Sequence, residues 1–348
     1  MVDKSETVFV TGASGFIAGH CILRLLKEGY AVRGSLRTSA SADAVKMALA
    51  PHVSTHDLSF VTLDLSADEG WDEALKDCTY LLHVASPFPA AKPEHEDDLI
   101  IPARDGTLRA LRAAARAGVK RTVLTSSVVA IGYGEDRDRD YVYTEDDWSN
   151  TDGEFSAYGK SKTFAERAAW EFMGSTEAGE MELAVINPGA VLGPLLRSDF
   201  SSSGQIVKRL LDGSVPACPA IGFSFIDVRD VADAHYAAML NPSAAGRRFL
   251  LVGHYAWMID VSRVLHSAGY KSPTMKLPNF IVHILAMFDK SIRLLKSGLG
   301  VRRIFSNERM RTELNIQPRS LDDMVLSMAE SMVRFDVVSN TRTGENAQ

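Results

Sequence analysis

Tyr158-Gly159-Lys160-Ser161-Lys162 sets a phenol and an ammonium four residues apart at the start of a predicted helix, so both lie on one face of it. Of the nine tyrosines, only Tyr158 has a lysine at that spacing. Two hydroxyls, Ser126 and Ser127, directly follow the apolar run Arg121–Thr125. These residue types suit the reduction of a carbonyl. Hydride arriving at carbon leaves negative charge on oxygen, and a donor must neutralise it. A free tyrosine ionises near ~10 and is a poor acid–base group at neutral pH. A nearby ammonium favours the phenolate and is expected to lower that value. A serine hydroxyl then serves as a second donor to the carbonyl oxygen.

A second constellation supplies a place for the hydride carrier. Thr11-Gly12-Ala13-Ser14-Gly15-Phe16-Ile17-Ala18 follows the apolar run Thr7–Val10 and opens a helical pattern. Small residues there allow a tight turn and close approach to a pyrophosphate, while the helix N-terminus offers free N–H groups and a positive dipole end. The next strand, Ala31–Leu36, ends at Arg37, and no acidic residue occurs between Gly29 and Ala42. A carboxylate there would bind ribose hydroxyls and repel a 2′-phosphate, whereas a guanidinium grips the phosphate. The pattern predicts NADP (as NADPH) over NAD.

The elements that position these residues read as alternating strands and helices. Strands are predicted at Thr7–Val10, Ala31–Leu36, Phe60–Leu63, Tyr80–Val84, Arg121–Thr125 and Glu182–Ile186. Helices are predicted at Phe16–Glu28, Ser41–Ala50, Leu99–Gly118 and Phe155–Met173. The strands are unbroken apolar runs, as in a parallel sheet covered on both faces. Two further strands, Phe223–Val228 and Arg248–Val252, flank a helix at Val231–Leu240. The fold class is therefore α/β: a Rossmann-type doubly wound parallel sheet with a smaller, mostly helical C-terminal substrate-binding lobe. We expect residues 1–190 to form the dinucleotide-binding domain, with 222–256 returning to it, and 191–221 with 257–348 to form the substrate lobe.

Composition narrows the function classes. The 38 Lys and Arg are outnumbered by 44 Asp and Glu, so no overall basic field draws the chain to nucleic acid. Cys21, Cys78 and Cys218 match no zinc or redox spacing, and no metal site is expected. The N-terminus has no apolar signal segment, and Phe280–Phe288 is too short to span a bilayer. A cytoplasmic location without membrane partners is expected. The acidic segment Gly134–Asn150 reads as a solvated loop, and the basic residues Lys290, Arg293, Lys296, Arg302, Arg303, Arg309 and Arg311 as a solvated face of C-terminal helices.

On these residues the chain resembles the extended short-chain dehydrogenase/reductases, and within them the dihydroflavonol-4-reductase-like group of NADPH-dependent aldehyde and ketone reductases. The resemblance covers about residues 5–260 well. It implies that Gly12, Gly15 and Ala18 form the dinucleotide turn, with Thr11, Ser14, Phe16 and Ile17 beside them. It implies Arg37 at the 2′-phosphate, Asp64 and Leu65 at the adenine, and Val84, Ala85 and Ser86 beside the cofactor ribose. Ser127, Tyr158 and Lys162 match the catalytic serine, tyrosine and lysine, Lys162 also binding the nicotinamide ribose. Asn187, Pro188 and Gly189 resemble the loop near the nicotinamide, and Phe225–Ala232 the later motif returning to the sheet. Phe88, Phe200 and Phe223 are candidate pocket walls. The third glycine of the turn is Ala18, and the Asn-Trp that precedes the tyrosine in cinnamoyl-CoA reductases is absent, which argues against thioester reduction. The implied partner is a small-molecule carbonyl substrate, and the protein a monomer or homodimer. Two other readings share the scaffold: a sugar-nucleotide epimerase or dehydratase, which Arg37 opposes, and a non-catalytic NADP sensor, which the filled catalytic positions oppose.

Overall fold

The computed structural model describes residues 6–87, 95–135, 137–138, 140–153, 156–288 and 298–339. Its strands are β1 (Thr7–Val10), β2 (Ala31–Leu36), β3 (Leu58–Thr62), β4 (Tyr80–His83), β5 (Arg121–Thr125), β6 (Val142–Tyr143), β7 (Glu182–Pro188), β8 (Ala190–Leu192), β9 (Gly222–Asp227), β10 (Arg247–Leu251), β11 (His254–Trp257) and β12 (Ile304–Phe305). Seven of them form one parallel sheet in the order β10-β7-β5-β4-β1-β2-β3. The chain winds outward from β1 in one direction and from β4 in the other. The crevice between those two strands is where doubly wound sheets bind ligands.

Both faces are covered, as the apolar strand runs require. Val8 and Val10 of β1 face one side, in a cluster with α1 (Phe16–Lys27), α2 (Ala42–Leu49) and a later helix, Val228–Leu240. Phe9 points the other way, towards α3 (Trp71–Leu75), α4 (Asp97–Arg116) and α5 (Ala157–Met173). This is the period-two alternation of a strand, with both rows buried.

Boundaries moved for local reasons. The helix expected at Ser41–Ala50 runs Ala42–Leu49, and Ser41 makes no side-chain cap bond; instead Thr38 caps a single 3₁₀ turn at Ser39–Ser41. The strand expected at Phe60–Leu63 begins at Leu58, because pairing with Val32 starts there. The helix expected from Phe155 starts at Ala157, where the Ser156 hydroxyl accepts the Gly159 N–H at 3.1 Å; Phe155 lies outside the described residues. The short helix α3 carried too few residues to show a period.

Beyond the main sheet, β11-β9-β8 form a three-stranded sheet and β12 pairs with β6. A separate cluster of buried apolar residues joins β8, β9 and β11 to the helices Gly204–Leu211, Met258–Ser267 and Leu321–Arg334. Among the described residues no helix is long and apolar enough to cross a membrane.

Candidate active site

The turn after β1 is shaped mainly by backbone contacts. Gly12 has φ +68°, and a Cβ there would sit 2.9 Å from the Ala85 Cβ. Both facts demand glycine. The turn is seated on β2: Gly12 N–H donates to the Ser35 hydroxyl at 2.9 Å and Ala13 N–H to the Ser35 carbonyl at 2.8 Å. Gly34 leaves room for the Ala13 methyl, which would lie 2.7 Å from any Cβ at position 34. Thr11 is buried, and its hydroxyl accepts the Ala85 N–H at 3.0 Å while bonding His83 Nδ1 at 3.0 Å. The structure thus brings Thr11, Gly12 and Ala85 together, with Val84 and Ser86 flanking Ala85 half-buried. No side chain caps α1 at Gly15. The donors of its first turn are those of an anion site.

Arg37 stands exposed just past β2 and makes no hydrogen bond or ion pair among the described residues. Asp64 lies nearby, its carboxyl held below the ordinary range by hydrogen bonds from Ser66 and, more weakly, by Arg37 and Arg109. Leu65 is tied to α4 through its carbonyl, which accepts from Arg109 Nη1 at 2.6 Å. A guanidinium without a partner among the described residues, two residues beyond the Ser35 that seats the turn, fits a dinucleotide carrying a 2′-phosphate.

Ser127 lies two residues beyond β5. Its hydroxyl accepts the Val129 N–H at 3.3 Å and donates to the Pro188 carbonyl at 3.5 Å. It also shares a hydrogen bond with the Tyr158 hydroxyl. Tyr158 is 36% exposed as a residue, with its hydroxyl set beside Ser127. Lys162, one turn along α5, is buried, and its ammonium donates to the Thr125 carbonyl at 3.4 Å. Burial pulls the Lys162 ammonium down to about 8, opposed by the carboxylate of Glu166.

The expected lowering of Tyr158 is not found. Burial raises the phenol above its ordinary value and outweighs the Ser127 hydrogen bond, while the Lys162 ammonium is turned to Thr125. At neutral pH the phenol keeps its proton, which is the form a proton donor needs.

Beneath this trio lies a buried polar network that the sequence reading missed. Glu166 accepts from the Ser126 hydroxyl and from Asn187 Nδ2 (2.7 Å) on one oxygen, and from Arg248 Nε (2.6 Å) on the other. Asn187 Nδ2 also donates to the Ser127 carbonyl at 3.3 Å. Arg248 stacks on Trp148 at 3.8 Å and donates to the carbonyls of Glu145 and Asp147. Glu145 is buried and accepts the Leu250 N–H at 3.0 Å. The acidic segment is therefore only partly the solvated loop expected: the Glu145 and Asp147 carbonyls both accept from Nη1 of a buried arginine. Glu166 had a signal, four residues after Lys162 on the same helix face. Arg248 had none.

Other expectations also shift. Phe200 and Phe223 pack on the apolar cluster around β9, Phe223 edge-on to Phe225 at 5.9 Å, and Phe88 lies outside the described residues. Gly189 is fixed by its N–H to the Leu251 carbonyl at 3.0 Å. The C-terminal arginines do not form one solvated face. Arg303 stacks on Tyr133 at 4.3 Å, Arg302 on Tyr255 at 5.2 Å, and Arg309 reaches Glu145; Lys290, Arg293 and Lys296 lie outside the described residues.

Comparison with known proteins gives a consistent picture. The NAD-dependent epimerase/dehydratase family model matches residues 8–253. A cinnamoyl-CoA reductase of Medicago truncatula is 34% identical over 285 residues, covering 79% of this chain and 84% of that protein. An NADPH-dependent methylglyoxal reductase of Saccharomyces cerevisiae is 34% identical over 283 residues, covering 75% and 82%. The crystal structure of the yeast methylglyoxal/isovaleraldehyde reductase with NADPH superposes with a TM-score of 0.79 at 27% identity, covering 95% of this chain and 99% of that one.

Proposed function

The chain belongs to the NAD-dependent epimerase/dehydratase family, and we propose that within it the protein is an NADPH-dependent reductase of aldehydes and ketones. The observation that carries this is the placement of the Tyr158 hydroxyl beside Ser127 at the carboxyl edge of the sheet, with Lys162 one turn along the same helix. When bound, NADPH supplies hydride to the carbonyl carbon. The Gly12–Ile17 turn would hold its pyrophosphate, Arg37 its 2′-phosphate, Asp64 and Leu65 its adenine, and Val84–Ser86 with Pro188 and Gly189 the ribose and nicotinamide side.

Ser127 orients the carbonyl oxygen by turning its single O–H from the Pro188 carbonyl to that oxygen, while its own oxygen still accepts the Val129 N–H. Tyr158 delivers its proton to that oxygen as negative charge builds there. Lys162 places a positive charge one turn from the phenol, which favours the phenolate left behind, and it would bind the nicotinamide ribose. We take the protein to act in the cytoplasm on a small-molecule substrate, as a monomer or homodimer.

The test is NADPH consumption, followed by absorbance, against methylglyoxal, isovaleraldehyde, aromatic ketones and cinnamoyl-CoA, with NADH in parallel. Turnover of a carbonyl with NADPH well above NADH is expected. Tight NADPH binding without turnover on any carbonyl would leave the silent sensor. Tightly retained NAD with sugar-nucleotide epimerisation would favour the epimerase reading.

A further inference from the structure

Glu166 is 1% exposed and Arg248 7%, and their side chains meet at 2.6 Å. A buried ion pair is a poor way to add stability, since well-packed apolar residues in its place are often neutral or stabilising. Its placement needs another account. One oxygen of the Glu166 carboxylate holds two residues beside the site, Ser126 and Asn187, while the other is held by Arg248. Ser126 neighbours Ser127 in the chain, and Asn187 neighbours Pro188, whose carbonyl accepts from Ser127. Asn187 also bonds the Ser127 carbonyl, so both ends of the Ser127 segment hang from one carboxylate. Glu166 lies one turn beyond Lys162 on the same helix, as Lys162 does beyond Tyr158.

We propose that Glu166 is a positioning residue of this site: clamped by Arg248, its carboxylate holds Ser126, Asn187 and through them the Ser127 segment, and supplies the negative charge that faces Lys162. The inference rests on the reductase reading above.

The groups around Lys162 decide what this charge does. Tyr158 and Glu166 face it from its own helix. The Thr125 carbonyl faces it from β5, with His235 of the helix Val228–Leu240 bonded behind to the Thr125 hydroxyl at 2.7 Å. His83 faces it from β4, and burial drives that imidazole down to about 3, so it is neutral. Arg248 approaches Glu166 from β10, and Glu145 closes the far side. Of these, Glu166 is the charge that works against the burial of Lys162. Without it Lys162 loses its proton at lower pH, and an activity that needs the ammonium fails earlier as pH rises.

The test compares Glu166→Gln with wild type in two readouts. One is the basic limb of kcat/KM against pH. The other, on the cofactor-free protein, is the pH dependence of Lys162 acylation, followed by peptide mapping. Glutamine's one carbonyl oxygen can keep the bonds from Ser126 and Asn187, while its NH2 faces the Arg248 donor and the charge is removed. Both midpoints are expected to move to lower pH by about one unit, so that kcat/KM above the limb falls about tenfold. Because Glu166→Gln leaves Arg248 buried and unpaired, the double variant Glu166→Gln with Arg248→Gln is run beside it. It should show a smaller shift in the same direction. A folded variant with reduced activity but unmoved midpoints would overturn the proposal, as would one with a wild-type profile. If wild type turns over no carbonyl, the reductase reading fails while the acylation midpoint still tests Glu166.

Discussion

The two ends of the sheet's carboxyl edge hold their functional atoms by different means. At β1 and β2 the turn is set mainly by backbone: a glycine at φ +68°, a second leaving room for Ala13, and N–H groups seated on Ser35. The charge there, Arg37, is exposed and bonded to nothing described. At β5, β7 and β10 the reverse holds. Ser127 and Lys162 bond backbone groups directly, but the segments that carry them are tied by buried side chains, with Glu166 and Arg248 paired at the centre. A pyrophosphate needs many N–H groups at close range, which only a bare backbone supplies. Proton transfer needs single atoms held in place and a controlled charge, which fixed side chains supply.

The contrast can be broken at its catalytic end first. Tyr158→Phe removes the proton donor and should lower kcat by about 10²–10⁴-fold, while a fluorescence titration finds NADPH binding little changed. Equal losses in both would place Tyr158 in cofactor binding instead. Next in size, Arg248→Met strands the Glu166 carboxylate in the interior and should cost about 3–5 kcal/mol of stability in urea unfolding. A loss below about 1 kcal/mol would show that the pair is not a keystone of that region. The smallest effect belongs to the other end. Arg37→Ser should cut the preference for NADPH over NADH roughly tenfold to a hundredfold. It should leave the melting temperature alone, because Arg37 makes no hydrogen bond or ion pair among the described residues. A drop in melting temperature there would erase the distinction between the two ends.

The same difference governs what the sequence could tell. Backbone-built features depend on residues close together in the chain, so the Gly12–Ala18 turn and the order of strands and helices could be read from spacing. Tyr158, Lys162 and even Glu166 recur every four residues on one helix. Arg248 and Glu145 could not be found this way, because a partner reached across the sheet leaves no local period. Nor could the raised phenol of Tyr158 be foreseen. Spacing gave it an ammonium neighbour, but the depth of the hydroxyl and the turn of Lys162 towards Thr125 are tertiary facts. The solvated reading of Gly134–Asn150 holds for Asp138, Asp140 and Asp146 but not for Glu145, because acidic composition says nothing of its folding back onto Leu250.

The pairing of Glu166 with Arg248 also bears on how the chain is made. Their separation is 82 residues. At a synthesis rate of about 5–20 residues per second, roughly 4–16 seconds pass between the appearance of the acid and of its partner. During that interval the carboxylate lacks the arginine that clamps it, and the cation facing it is Lys162 on its own helix. The contact that clamps Glu166 cannot form until β10 has been made, well after the nucleotide turn has all its parts.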